Sequence, residues 1–207
     1  MPKIVDREQY RKQLLTESFE LFAEIGYGKI TMRQLAQKLG ISTGTLYHYF
    51  PSKEVMFLQL VEELVQRDIT NFLIQAESVP PDIRSRISAI LNFTQENRDY
   101  FSKQLTIWMD YYQQHVGEEA VVNEDLSQRS INIFEQLDRE TIAAINEYLQ
   151  VDNYAIGEFI LTFINGLLLC QLYQPNFKSW DAQAEMLVEV IVVMSNKSFG
   201  RGNVLSC

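Results

Sequence analysis

Apolar residues recur along this chain at three- and four-residue steps, the spacing that gathers them on one face of an α-helix. The first stripe is Tyr10, Leu14, Leu15, Ser18, Phe19, Phe22 and Ile25, and Asp6 stands where it can cap that helix. Gly26 and Gly28 end it, since glycine tolerates the left-handed backbone of a helix stop. Thr31-x-x-Gln34 has the form of a capping box, with Ile30 and Leu35 placed to staple around it. The short helix that follows stops at Gly40, which suits a tight turn. Ser42 caps a third helix, with Ile41 and Leu46 as a second staple, and Pro51 ends it. Ser52 caps a fourth, expected to run to about Ala76.

The clearest break is the stretch SVPPD, Ser78 to Asp82, where Pro80 and Pro81 suit the first turn of a helix. Beyond it the pattern predicts five more helices near 82–97, 99–115, 123–150, 154–173 and 180–196, punctuated by Gly117, Asp152-Asn153 and Pro175-Asn176. The tail GRGNVLSC reads as frayed. The expected fold is all-α, with about nine helices. An N-terminal three-helix domain covers 1–53, and a helical second domain covers 54–207.

Two of these helices are apolar on nearly every side. In 154–173 the residues are Ile156, Phe159, Ile160, Phe163, Ile164, Leu167, Leu168 and Leu172; in 180–196 they are Met186, Leu187, Val190, Ile191, Val193 and Met194. A helix of that kind must be buried all round. In a chain of 207 residues the simplest burial is one face on its own domain and the other on a partner. A homodimer joined through a four-helix interface is therefore expected, with Cys170 as a buried structural thiol. The longest apolar run, Phe159 to Cys170, is interrupted by Thr162 and Asn165 and is too short for a membrane span. The N-terminus MPKIVDREQYRK lacks the apolar core of a signal peptide, and two distant cysteines offer neither a disulfide framework nor a zinc site. A cytoplasmic protein without cofactor or metal is expected.

Charge then singles out the head. The net charge is −9. Residues 1–60 hold eight Lys/Arg and six Asp/Glu, and the rest hold ten against twenty-one. Between Glu24 and Glu54 no acid occurs in 29 residues, where an even spread would place roughly four. That window carries Lys29, Arg33, Lys38 and Lys53 among Thr, Ser, Gly, Tyr and His, which donate to phosphates and base edges without repulsive charge. Two short helices joined at Ala36, Gly40 and Leu46 within it have the geometry of a helix-turn-helix that reads duplex DNA. Gly44 lets the third helix approach the duplex closely, and Thr43 and Thr45 can bond base edges or meet thymine methyls. Arg33 serves either a phosphate or solvent. Lys3, Arg7, Arg11 and Lys12 form either a DNA-contacting arm or a solvated helix end.

The segment Thr31–Phe57, TMRQLAQKLGISTGTLYHYFPSKEVMF, resembles the DNA-binding signature of the TetR family of bacterial transcriptional regulators. The close likeness covers roughly residues 10–60. It implies a homodimer of nine or so helices that represses transcription until a small ligand relieves it. By the same likeness Thr31 caps the second helix against a phosphate, while Thr43, Gly44, Thr45 and His48 face bases. Tyr47 and Lys53 grip phosphate. Many members read Tyr-Tyr-His-Phe where this chain reads Tyr47-His48-Tyr49-Phe50, so either ring of the exchanged pair is a candidate for the groove.

In the second domain Phe101, Leu105, Trp108 and Tyr112 form a stripe with Tyr111 beside it, either core or the wall of a ligand site. Trp108, Tyr111, Tyr112, Phe163 and Leu167 are the candidate effector-binding residues, and the density of rings points to an aromatic or lipophilic effector. Asp110 and His115 are surface positions, or select a polar group. An enzyme is not expected. The two histidines stand far apart, and no G-x-S-x-G, H-E-x-x-H, C-x-x-C or phosphate loop occurs. The expected protein is a sequence-specific regulator, a repressor released from a pseudo-palindromic operator by such a ligand. Two alternatives share its head. One is an activator; the other is a DNA-anchored interaction protein whose acidic body recruits a protein partner.

Overall fold

The computed structural model describes residues 6–115, 124–174 and 179–199, with side chains over 6–114, 132–174 and 179–194. Nine α-helices and no strand occur among the described residues. They are α1 (Arg7–Ile25), α2 (Met32–Lys38), α3 (Thr43–Tyr49), α4 (Lys53–Gln75), α5 (Ile83–Glu96), α6 (Arg98–His115), α7 (Glu124–Leu149), α8 (Tyr154–Tyr173) and α9 (Trp180–Phe199). A 3-10 turn at Ala76–Ser78 follows α4. The all-α expectation holds, and each boundary lies within three residues of its predicted place.

The helix starts are set by short polar side chains. The Asp6 carboxylate accepts the amides of Glu8 and Gln9, and Thr31 and Gln34 complete both halves of the capping box. Ser42 Oγ accepts the Thr45 amide at 3.0 Å, and Ser52 Oγ accepts the Val55 amide at 3.1 Å. Asp82 Oδ1 accepts the Ser85 amide at 2.9 Å and is itself the cap of α5, so Pro80 and Pro81 precede the helix instead of forming its first turn. Gly26 and Gly40 adopt φ of 89° and 69°, as glycine at a stop or tight turn should. Gly28 does not; its smallness serves another purpose, described below.

By its contacts the chain divides into two units, 1–69 with 103–139 and 70–102 with 140–207. This division runs through α4, α6 and α7, unlike the sequence boundary at residue 53. In the first unit α1 packs Leu14, Leu15, Phe19 and Phe22 against a core that includes Ile30, Leu35, Ala36, Leu46, Phe50 and Phe57, all buried. Each such side chain contributes roughly 1.5–3 kcal/mol of transfer free energy. The face that α6 buries is Gln104, Ile107 and Tyr111, while Phe101, Leu105 and Trp108 are half-buried and Tyr112 is 55% exposed. The buried face thus lies about a third of a turn from the predicted stripe, and it includes the polar Gln104.

In the second unit α9 packs on α5 and α8. Phe72 stands edge-on to Phe93 and Tyr148, with ring centroids 5.4 and 4.8 Å apart. Gly157 lets α8 pass close to α7, since an added Cβ would stand 2.9 Å from the Ile142 carbonyl. α8 turns Ile156, Ile160, Ile164, Leu167 and Leu168 inward. The opposite side leaves Phe159, Gly166, Cys170 and Tyr173 exposed. Cys170 is therefore not buried within its own chain, contrary to expectation, because the inward face of α8 is offset from it around the helix. By length and composition alone, the 20 residues of α8 are apolar enough to cross a membrane, a property the core helix of a water-soluble protein can share.

Candidate nucleic-acid interface

α3 is held from beneath and presents its other side. Leu46 and Phe50 are fully buried, one turn apart, and fasten the helix to its unit. Gly44 and His48 are exposed and Tyr47 is 49% exposed, while Thr43 and Thr45 are half-exposed. The hydroxyls of Ser42 and Thr45 lie 2.8 Å apart, which orients Thr45 at the start of the helix. Tyr49 behaves differently. Its ring stands edge-on to Tyr10 of α1 at 5.5 Å, and the Arg7 guanidinium lies 5.9 Å from its centroid. The exchanged pair is thus sorted by packing: Tyr49 braces α3 on α1, and His48 faces out.

The cations also separate into two groups. Arg11 donates to Glu8 at 2.7 Å and Gln59 at 2.6 Å, and Lys12 donates to Glu63 at 3.0 Å. The hydrogen bond with Glu8 raises the Arg11 guanidinium above its ordinary value and lowers the Glu8 carboxyl. Lys29, Arg33 and Lys38 are exposed and make no hydrogen bond or ion pair among the described residues. The acid-free window therefore leaves Lys29, Arg33 and Lys38 uncompensated, whereas Arg11 and Lys12 of α1 are paired with acids.

Lys53 belongs to neither group. Its Nζ donates to the Tyr27 carbonyl at 2.6 Å and lies 4.3 Å from the Tyr27 ring centroid. Burial pushes this ammonium below the usual lysine range, and nearby Asp110 opposes the shift. Thr31 is exposed at the start of α2, its hydroxyl donating to Gln34 Oε1 at 2.9 Å.

Sequence reasoning missed the support behind this face. Tyr27 is buried among Phe22, Phe57 and Tyr111, with ring centroids at 6.0, 4.8 and 4.8 Å. Burial pushes its phenol well above the usual tyrosine range. Tyr111 stacks on Phe57 at 4.6 Å and donates from its hydroxyl to Glu54 Oε1 at 3.3 Å. Asp110 is half-buried, and its Oδ2 accepts the Gly28 amide at 3.2 Å. The signal available in sequence was Gly-Tyr-Gly, a ring flanked by two residues without side chains.

Of the effector-binding candidates, Trp108 and Tyr111 both pack on Phe134, at 6.0 and 5.8 Å, and Tyr111 is core. Tyr112, in the same unit, is exposed. Phe163 and buried Leu167 belong to the other unit, where Phe163 meets Phe159 at 6.4 Å. The side chain of His115 lies outside the described residues.

Residues 14–60 match the family model of bacterial regulatory proteins, tetR family. The regulator BetI of Agrobacterium fabrum is 26% identical over 209 residues, covering 98% of this chain and 95% of BetI. The head, residues 14–60, is of the TetR type. The matched stretch runs from the middle of α1 into α4 and contains all nine sequence-predicted DNA-face residues. The repressor Rv1474c of Mycobacterium tuberculosis is 38% identical over 69 residues, 32% of this chain and 37% of that protein. TetR character is thus carried most strongly by the head. The fold extends further: a TetR regulator from Haloarcula marismortui superposes with a TM-score of 0.65 over 88% of this chain and 96% of its own, at 16% identity.

Proposed function

We propose that the protein is a transcriptional repressor that reads a pseudo-palindromic operator as a homodimer and is released by a small lipophilic or aromatic ligand. The observation that carries the DNA reading is the separation of the cations. Lys29, on the turn before α2, and Arg33 and Lys38 of α2 stand exposed without an ion pair among the described residues, while Arg11 and Lys12 are bound to acids of their own unit. Unpaired surface cations are what release counterions when they meet phosphate. On this reading Thr43, Gly44, Thr45 and His48 address bases. Thr31, Arg33, Tyr47 and Lys53 address phosphates, Lys53 through the two N–H groups its bond to Tyr27 leaves. Tyr49 acts through the placing of α3.

The dimer reading rests on the outward side of α8 and α9. Phe159 and Tyr173, with Met186, Val190, Val193 and Met194, are apolar and exposed in the single chain. A second copy covers them by a self-complementary two-fold contact, which would set two α3 helices about one DNA turn, ~34 Å, apart. For the ligand, support comes from the second unit, where Asn146 Oδ1, Tyr148 Oη and Gln171 Oε1 are buried without a partner among the described residues. Such groups favour a ligand that adds a polar atom to apolar surface. A ligand of this kind acts only through different affinity for the DNA-bound and free states. A cytoplasmic, non-enzymatic protein follows from this reading.

Operator binding of alanine variants tests the residue roles. Thr45→Ala and His48→Ala should change which sequences are preferred. Tyr47→Phe and Lys53→Ala should weaken binding to all sequences alike. Unchanged binding in all four folded variants would overturn the assignment of α3.

A further inference from the structure

The end of α6 is fastened onto the backbone of the turn that leads into α2. Asp110 Oδ2 accepts the Gly28 amide at 3.2 Å, and its other oxygen, Oδ1, accepts from Gln114 Nε2 at 3.3 Å. Gly26 does not tolerate a side chain there, and one on Gly28 would displace Gln114. A Cβ on Gly26 would stand 3.0 Å from Asp110 Oδ2, at a φ that already demands glycine, and a Cβ on Gly28 would fall directly onto the Gln114 amide. Between them Tyr27 inserts its ring beneath α6, edge-on to Tyr111, while its carbonyl receives Lys53 of α4.

The same face of α6 is bound to α4 in antiparallel register. Buried Gln104 donates to Asp68 Oδ2 at 2.7 Å, and two turns on Tyr111 stacks on Phe57 and bonds Glu54. Both partner sets lie within the first unit, so the last turns of α6 touch the turn before α2 and the first turns of α4 at once. Four residues beyond Gly28 begins α2, the helix that Thr31 caps.

We propose that Asp110, supported by Gln114, is a positioning residue for operator reading: by clamping the Gly26–Gly28 turn it sets where α2 and α3 stand. This rests on the DNA-reading role argued above. Without the clamp the turn samples more conformations, and apparent affinity falls by the fraction that remains competent. Base-independent attraction to phosphate is spared, because Lys29, Arg33 and Lys38 are untouched.

The test uses the full-length protein and an operator selected from random duplexes, with a scrambled duplex as the non-specific control. Asp110→Ala should lower operator affinity about ten-fold and leave scrambled-duplex binding at the same salt unchanged. Backbone hydrogen exchange over residues 26–30 should speed up, and Asp110→Asn, which keeps an acceptor oxygen, should recover most of the loss. Equal operator affinity and equal exchange in wild type and Asp110→Ala would overturn the clamp while leaving the DNA-reading role intact. Failure of the wild type to select any duplex would instead remove the DNA-reading role, and the clamp's function with it.

Discussion

The ring of Tyr49 stands edge-on to that of Tyr10, centroids 5.5 Å apart and planes at 65°, so the last residue of α3 is pinned to the first turn of α1. An aromatic pair of this kind is worth about 0.5–1.5 kcal/mol beyond the area it buries. Tyr49→Ala should therefore lower unfolding free energy by roughly 1–3 kcal/mol, and Tyr49→Phe should leave it nearly unchanged. His48→Ala, exposed and, among the described residues, in ring contact only with Tyr49 itself, should move the urea midpoint far less. Equal destabilisation of the two alanine variants would contradict the sorting of this pair.

The cations give a second prediction. Arg33→Ala or Lys38→Ala should reduce the slope of log affinity against log salt by close to 0.9 for each phosphate contact removed. Lys12→Ala should leave that slope nearly unaltered, because its ammonium is already bound to Glu63 at 3.0 Å. Salt titrations of the three variants on one duplex decide the matter. Equal slope changes in all three would mean that pairing within the chain does not govern which cations meet DNA.

These results show what the chain's pattern does and does not disclose. Caps and stops were readable because they are local: Asp6, Thr31, Ser42 and Ser52 each bond an amide two or three residues ahead. The clamp was not. Asp110 meets Gly28 across 82 positions, and nothing in the periodicity of α6 marks one carboxylate among its polar residues. Gly28 looked like a second helix stop because its need for space and a need for positive φ leave the same letter in the sequence. The buried face of α6 was misjudged for a related reason. Gln104 is polar by composition yet buried, and only its bond to Asp68 accounts for that.

α5 yields a prediction about pH. The Asp82 carboxyl is held below the usual carboxylate range, chiefly by the Ser85 amide it accepts and then by the Ser85 hydroxyl. A carboxyl depressed in the folded state contributes stability above its unfolded value and loses it as pH falls through the folded one. Asp82→Asn should thus flatten the acid limb of the stability curve below about pH 4 and change little at neutral pH. Urea midpoints measured from pH 7 to pH 2 test it, and parallel curves for the two proteins would contradict it.

The thiol of Cys170 reports on assembly. It is exposed in the single chain, on the side of α8 that also carries Phe159 and Gly166. In a dimer formed through α8 and α9 it is covered. Wild type should sediment as a dimer and react slowly with a thiol reagent, whereas Val190→Glu should yield monomers whose Cys170 reacts rapidly, followed in a Cys207→Ala background. Fast reaction in a wild-type dimer would place the interface elsewhere.

Selection of bound duplexes from a random pool, with purified full-length protein at near-physiological salt, tests the central claim most directly. Enrichment of an inverted repeat whose half-sites lie about one helical turn apart is the predicted result. A folded protein that enriches no sequence, and whose weak binding is equal on every duplex, would contradict it.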